Sequence, residues 1–235
     1  MRFKAFATDY DGTLAHHGTV SAPAIQALQR LRAAGWRCLL VTGRELKDLK
    51  LIFPRMELFD LVVAENGALL YDPRNEQAKP LHAAPPPELA KRLLERGVTP
   101  LSVGNVVVAT FEPFEKTALD VIKELGLELE IIFNKGAVMI LPTGCNKATG
   151  LKAALKSLGL SPDEAVAIGD AENDHALLRA VGFGVAVANA VPALKEQANM
   201  VTAASHGDGV IELIDLLLIG GLSSSEPASK AQALK

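Results

Sequence analysis

Cysteine and aromatic residues are scarce in this chain of 235 residues: it has two cysteines, one tryptophan and two tyrosines, and aromatic residues make up 5% of it. Two thiols do not make a disulfide framework. Neither Cys38 nor Cys145 lies in a Cys-x-x-Cys pair or a Cys/His cluster, so the spacings of zinc modules are excluded. Both read as small buried hydrophobes. No apolar run approaches the ~20 residues of a membrane helix, since the apolar stretch 213–222 is broken by Asp215. A basic surplus is missing as well. The 24 Lys and Arg stand against 27 Asp and Glu, for a net charge of −3, so no field draws a nucleic acid. No apolar leader core follows Arg2 and Lys4, which argues against a signal peptide. The expectation from these absences is a soluble, cytoplasmic protein without a nucleic-acid or membrane partner. Its oligomeric state leaves no mark in the sequence.

What is abundant is apolar sequence, 49% of the chain, enough for one large domain or two small ones. Its pattern alternates. Strands are expected at Phe3–Thr8, Arg37–Val41 and Leu61–Ala64, and helices at Ser21–Ala34 and Glu45–Phe53. Ser21 can cap the first helix, Pro23 suits its first turn, and Ile25, Leu28 and Leu31 share one face. Apolar strands alternating with helices predict a parallel sheet covered by helices. After a strand at Ala68–Tyr71 and a turn at 72–75 the pattern changes. Three prolines at 85–87 lead to a helix at Glu88–Arg96. Strands follow at Val103–Phe111, Glu128–Phe133 and Ala137–Leu141, with a helix at Phe114–Leu125, and Asn134-Lys135-Gly136 reads as a hairpin turn. The alternation then resumes with helices at Lys147–Leu158, Glu172–Ala180, Val191–Ala198 and Gly209–Leu218 and strands at Ala165–Ile168 and Phe183–Val187. The expected architecture is an α/β, Rossmann-like doubly wound core from 1–75 and 144–220. A small α+β cap is inserted at 76–143, and a polar, disordered tail follows at 221–235.

Four sites of possible chemistry stand where strands of the parallel sheet end, the usual place for a ligand in open α/β sheets. Asp9 and Asp11 follow the first strand and precede Gly12. Two such acids can bind a cation, attack an electrophile or move a proton, although Asp-Gly is also an ordinary turn. Thr42 and Gly43 open a helix, where a hydroxyl and an amide suit a phosphate; Thr42 also reads as a plain cap. Lys147 lies in the first turn of a helix, against the dipole, so an anion should compensate it. It is not a P-loop lysine, because no glycine precedes it and Ala148 stands where a metal-binding hydroxyl would be. Asp170, Asn173 and Asp174 follow the strand at 165–168, as a cation site or as the acidic start of a helix.

In order and spacing, Asp9-Tyr10-Asp11-Gly12-Thr13, Thr42-Gly43-Arg44, Lys147 and Gly169-Asp170-Ala171-Glu172-Asn173-Asp174 together resemble the motifs of the haloacid dehalogenase-like hydrolase superfamily. The insertion between the second and third motifs, the Glu65-Asn66-Gly67-Ala68 turn and the segments 184–190, 198–202 and 208–210 resemble its Cof-like branch, subclass IIB. That branch is related to sucrose-phosphate and phosphoglycolate phosphatases. The resemblance implies a Mg2+-dependent phosphomonoesterase for a small phosphorylated metabolite, a sugar phosphate or a phosphoglycolate-like compound. In it Asp9 is the nucleophile and Asp11 the acid and base. Thr42, Gly43, Lys147 and Asn173 hold the phosphoryl group. Asp9, the Asp11 carbonyl and Asp170 hold the metal, with Asp174 behind them. A phosphomutase on the same scaffold, or a phospho-accepting binding module without turnover, are the alternatives. His16-His17, His175 and His206 read as surface residues, and the substrate is expected to be chosen by the cap.

Overall fold

The computed structural model describes residues 2–222, so the expected tail lies outside the described residues from Ser223 onward. The first half of the core comprises β1 (Ala5–Thr8), α1 (Ala22–Ala33), β2 (Arg37–Val41), α2 (Leu46–Ile52), β3 (Leu61–Ala64), β4 (Leu69–Asp72) and β5 (Gln77–Pro80). The cap follows as α3 (Pro87–Glu95), β6 (Ser102–Val103), β7 (Val108–Phe111), α4 (Glu115–Glu124), β8 (Leu129–Asn134) and β9 (Ala137–Pro142). The core is completed by α5 (Lys147–Ser157), β10 (Ala165–Gly169), α6 (His175–Arg179), β11 (Phe183–Ala186), α7 (Pro192–Gln197), β12 (Met200–Val201) and α8 (His206–Leu218).

The large sheet has the order β12-β11-β10-β1-β2-β3-β4-β5. Its first six strands are parallel, and β4 and β5 extend it as an antiparallel hairpin. Successive strands run outward from β1 in one direction and, after the insertion, from β10 in the other. The chain therefore switches direction between β1 and β10, which opens a crevice at their C-terminal ends. The central strands are buried throughout, which is why they read as unbroken apolar runs instead of alternating. Helix α1 begins as its sequence suggests: the Ser21 hydroxyl accepts the Ala24 amide at 3.3 Å, and Ala24, Ala27, Leu28 and Leu31 are buried.

Strand β12 was not expected from the sequence, and three further elements differ from the reading. Strand β5 pairs with β4 in the large sheet, so the main sheet extends past the boundary expected at 75/76; the strand is short, polar and exposed, and carries no apolar signal. The single strand expected at Val103–Phe111 is two, β6 and β7, around a turn that is tied to Glu65. Helix α8 starts at His206, three residues early, because Gly207 and Gly209 mask its first turn.

The cap is a second sheet, β6-β7-β9-β8. In an antiparallel sheet, paired residues point to the same side. Val108 and Ile140 pair and join Leu89, Leu93, Ala118, Val121 and Ile122 in a cluster under α3 and α4. The alternate residues Ala109, Phe111, Ala137 and Met139 consequently face away from those helices, toward the core.

Cys38 and Cys145 are free and buried, as expected for structural thiols. Burial pushes each thiol up to about 12. The thiolate is the reactive form, and at pH 8 neither group supplies it. Iodoacetamide at pH 8 should therefore label neither cysteine in the native protein and both in guanidinium; labelling of either one in the native state contradicts this.

Candidate active site

Register brings the acids together. Thr8 pairs with Ile168 across β1 and β10, and the Asp9 amide donates to the Ile168 carbonyl at 3.0 Å. Asp9 and Asp170, each just beyond its strand, therefore stand side by side. Both are buried. Thr42 follows the neighbouring β2, and its amide donates to the Val63 carbonyl at 2.8 Å.

Lys147 enters from the first turn of α5. Asn146 caps that helix, accepting the Ala148 and Thr149 amides, while Thr149 accepts the Asn146 amide. The helix start is pressed against the Glu65–Gly67 turn. A Cβ on Gly67, whose φ is +108°, would lie 2.0 Å from the Asn146 carbonyl oxygen. Only glycine permits this backbone contact. From there the Lys147 ammonium, 1% exposed, donates to Asp9 Oδ1 and to Asp174 Oδ1, both at 2.6 Å. The other Asp174 oxygen accepts the Asp170 and Ala171 amides at 3.0 Å each. Asp174 is thus fully engaged in holding Lys147 and the loop after β10.

Electrostatics follow from this packing. Burial pushes the Asp9 carboxyl up to about 8, with Lys147 drawing it back and Asp174 and Asp170 adding to the rise. Burial also works against the Lys147 ammonium, but Asp174 and Asp9 outweigh it and hold its pKa above the ordinary lysine value. Two neighbouring buried acids with one shared ammonium are short of positive charge.

The remaining residues surround that pair. Asp170 accepts the Thr13 hydroxyl at 2.9 Å on one oxygen and the Lys135 ammonium at 2.7 Å on the other. Lys135 also donates to the Asp11 carbonyl at 2.9 Å. It sits at the tip of the β8–β9 hairpin, so the cap places a cation between the core's Asp170 and Asp11 backbone. Gly12, with φ +87°, makes room: a Cβ there would lie 2.4 Å from Asp170 Oδ2 and 2.5 Å from Lys135 Nζ. The two Asp11 carboxylate oxygens accept Arg44 Nε and Nη2, at 2.6 and 2.8 Å. The Thr42 hydroxyl lies behind the same turn and accepts the Arg44 amide at 3.1 Å. Asn173 donates to Asn66 at 3.1 Å. Asn173 Oδ1, Asn66 Nδ2 and Asn134 Oδ1 are buried without a partner, and Asn173, Asn134 and Met139 crowd over Gly43. Such orphaned atoms suit a polar ligand above Gly43.

A cavity of about 380 Å3 opens over this end of the sheet, with Asp9, Asp11, Gly43 and Asn173 on its floor and cap residues as its roof. Every residue singled out by the motifs (Asp9, Asp11, Thr42, Gly43, Lys147, Asp170, Asn173 and Asp174) lies on this floor or directly behind it. The sequence reading missed the partners. Thr13, Arg44 and Asn66 stood inside the motifs without a role of their own, and Asn134 and Lys135 read only as turn residues. Glu65 likewise stood in a motif turn with no role assigned. Its buried carboxylate accepts the backbone amides of Asn105, Val106 and Val107 and the Asn105 side chain, at 2.7–3.0 Å, and so ties the cap's β6–β7 turn to the core. His16 stacks between His17 and His206, and none of the three lines the cavity. Among the described residues no helix is long and apolar enough to cross a membrane.

A family model described as haloacid dehalogenase-like hydrolase matches residues 6–96 and 106–214. The chain is 32% identical to a phosphoglycolate phosphatase of Methanothermobacter thermautotrophicus, covering 90% of this chain and 97% of that protein. It is 25% identical to the 5-amino-6-(5-phospho-D-ribitylamino)uracil phosphatase of Bacillus subtilis, over 88% and 95%. Its fold matches a solved HAD subclass IIB sugar phosphatase, with a TM-score of 0.74 and 22% identity over 92% of this chain and 99% of that one. It matches a haloacid dehalogenase-like hydrolase from Bacteroides thetaiotaomicron with a TM-score of 0.74 and 20% identity, over the same shares of the two chains. With acids at the heads of β1 and β10 and a sequence match that runs through both halves of the core and the cap, the chain belongs to the haloacid dehalogenase-like hydrolase family.

Proposed function

We propose that this hydrolase is a Mg2+-dependent phosphomonoesterase that cleaves a small phosphorylated metabolite through an aspartyl-phosphate intermediate on Asp9. The observation that carries the reading is the arrangement at the sheet switch point. There Asp9 and Asp170 are buried side by side and Lys147 is held against Asp9 by Asp174. The acids fit a divalent cation: carboxylate oxygens of Asp9, Asp170 and Asp174 come within 4.8 Å of one another, and the Lys135 ammonium already rests on Asp170 and the Asp11 carbonyl. Asp174 has no oxygen to spare, so Asp9, the Asp11 carbonyl and Asp170 would hold the ion. When bound it supplies positive charge against the phosphoryl oxygens, and a hard cation with few carboxylates and several waters matches Mg2+.

The chain's own groups do the rest. Lys147, the Gly43 amide, the Thr42 hydroxyl and Asn173 hold the phosphoryl oxygens. An Asp9 oxygen attacks phosphorus while the bond to the leaving oxygen breaks, and Asp11 gives that oxygen a proton. Asp11 then takes a proton from a water that attacks phosphorus, the Asp9–phosphorus bond breaks, and inorganic phosphate leaves. Arg44 holds both Asp11 oxygens, so Asp11 reaches the leaving oxygen only when that pair opens. Asp11 is also what separates this reading from a phospho-accepting module, in which a base that speeds hydrolysis serves no purpose. A phosphomutase would need a second hydroxyl in place of the water.

Phosphate release from p-nitrophenyl phosphate should require Mg2+, fall to background in EDTA and return when Mg2+ is restored. A single turnover quenched in acid should leave a phosphoryl group on the peptide carrying Asp9. Full turnover in EDTA overturns the metal assignment, and a phosphoryl group on any other residue overturns the nucleophile.

A further inference from the structure

We infer that the leaving group of the preferred substrate carries an uncharged, ring-sized apolar body, which lies along the open face of the cap sheet. This inference rests on the phosphomonoesterase reading. The cavity above the acids is larger than a two-carbon leaving group requires. Its 380 Å3 falls in the range of about 300–1,000 Å3 typical of pockets for whole cofactors and drug-sized ligands. Its roof is the face of the cap sheet turned away from α3 and α4. Ala109 and Phe111 of β7 pair with Met139 and Ala137 of β9, so these four side chains form one apolar surface, which Pro100, Leu101 and Val107 continue. Phe111 is 54% exposed. A single exposed aromatic is ordinary, but one continuous with an apolar cavity lining marks a binding surface.

Charge removes the alternatives. The lining has one cation, Arg44, and it is committed to Asp11 through two hydrogen bonds. Besides Arg44 the charged lining residues are four acids, Asp9, Asp11, Glu45 and Asp48. A carboxylate on the leaving group would meet these acids with only Arg44 in the lining to offset them. Glu45, Asp48, Ser102 and Asn134 also line the cavity, but hydroxyls laid on Met139, Ala109 and Ala137 would lack partners, which is unfavourable. An apolar ring satisfies both constraints.

Three alkyl phosphates with Mg2+ test this: ethyl phosphate, phosphoglycolate and benzyl phosphate, compared by kcat/KM. Benzyl phosphate should exceed the other two by about 10- to 100-fold. The non-hydrolysable benzylphosphonate should bind more tightly than ethylphosphonate or phosphonoacetate by a similar factor in calorimetry. Phe111→Ser, at an exposed position that the fold tolerates, and Met139→Thr should each lower the benzyl-to-ethyl ratio several-fold. If phosphoglycolate equals or surpasses benzyl phosphate, or both variants leave the ratio unchanged, the inference is overturned. If no ester is hydrolysed, the phosphomonoesterase reading fails, and the phosphonate affinities still decide what the cap face binds.

Discussion

Asp9→Asn is expected to lower kcat by about 10^4-fold or more and to leave the protein folded. The side chains are isosteric, and the amide oxygen can still accept from Lys147. Lys147 also keeps Asp174 at 2.6 Å, so the buried pair stays balanced at one charge against one. What disappears is the chemistry: a neutral amide oxygen is a poor nucleophile toward phosphorus, and the variant also loses a formal charge next to Asp170. Phosphate release with Mg2+ gives the rate, and a circular-dichroism melt in EDTA gives the fold. A variant that keeps a tenth of the wild-type kcat would rule out Asp9 as nucleophile. One that does not melt cooperatively would show that the residue is required for folding instead.

Lys147→Ala should have the opposite balance of effects, with a loss of stability as marked as the loss of rate. The ammonium is buried between two buried carboxylates. Its removal leaves Asp9 and Asp174 facing one another with nothing positive between them. Breaking a buried ion pair from one side costs about 3–5 kcal/mol, which for a domain of this size lowers Tm by roughly 6–20 °C. Added Mg2+ should recover part of this, because an ion held by Asp9 and Asp170 supplies some of the missing charge. Thermal unfolding with EDTA and then with Mg2+ measures both. An unchanged Tm would mean that the two acids are neutral in the folded protein, and that Lys147 is held for catalysis alone.

These two residues are legible in the sequence itself. Asp9 follows an apolar strand and precedes a tight turn, and Lys147 opens a helix where a cation is out of place, so local physics marks both. The same holds for Asp170. Arg44 and Lys135 show the limit. Nothing local distinguishes an arginine in the first turn before α2 that grips Asp11 from one in solvent. A lysine in an Asn-Lys-Gly turn looks like hairpin chemistry, and it is: both Lys135 and Gly136 have positive φ, at 50° and 81°. That the turn also reaches Asp170 depends on where the whole cap lies. The β6–β7 break was hidden for a related reason. Val103–Phe111 is apolar enough for one strand, and it is interrupted because Glu65, some forty residues earlier, takes up the amides of Asn105, Val106 and Val107.

Periodicity and motif order in the sequence thus determined the α/β core, the inserted unit and the residues at the heads of β1, β2 and β10. Each of those signals is written in neighbouring residues: apolar runs the length of a strand, caps, and acids at a strand's end. Tertiary structure alone decided which side chains complete the cleft. Arg44 on Asp11, Lys135 on Asp170, Glu65 under the cap turn and the apolar roof of Ala109, Phe111, Ala137 and Met139 are contacts between elements far apart in the chain. Their geometry follows from strand register and from the docking of one sheet over another, and neither is encoded in the spacing of residues along one segment.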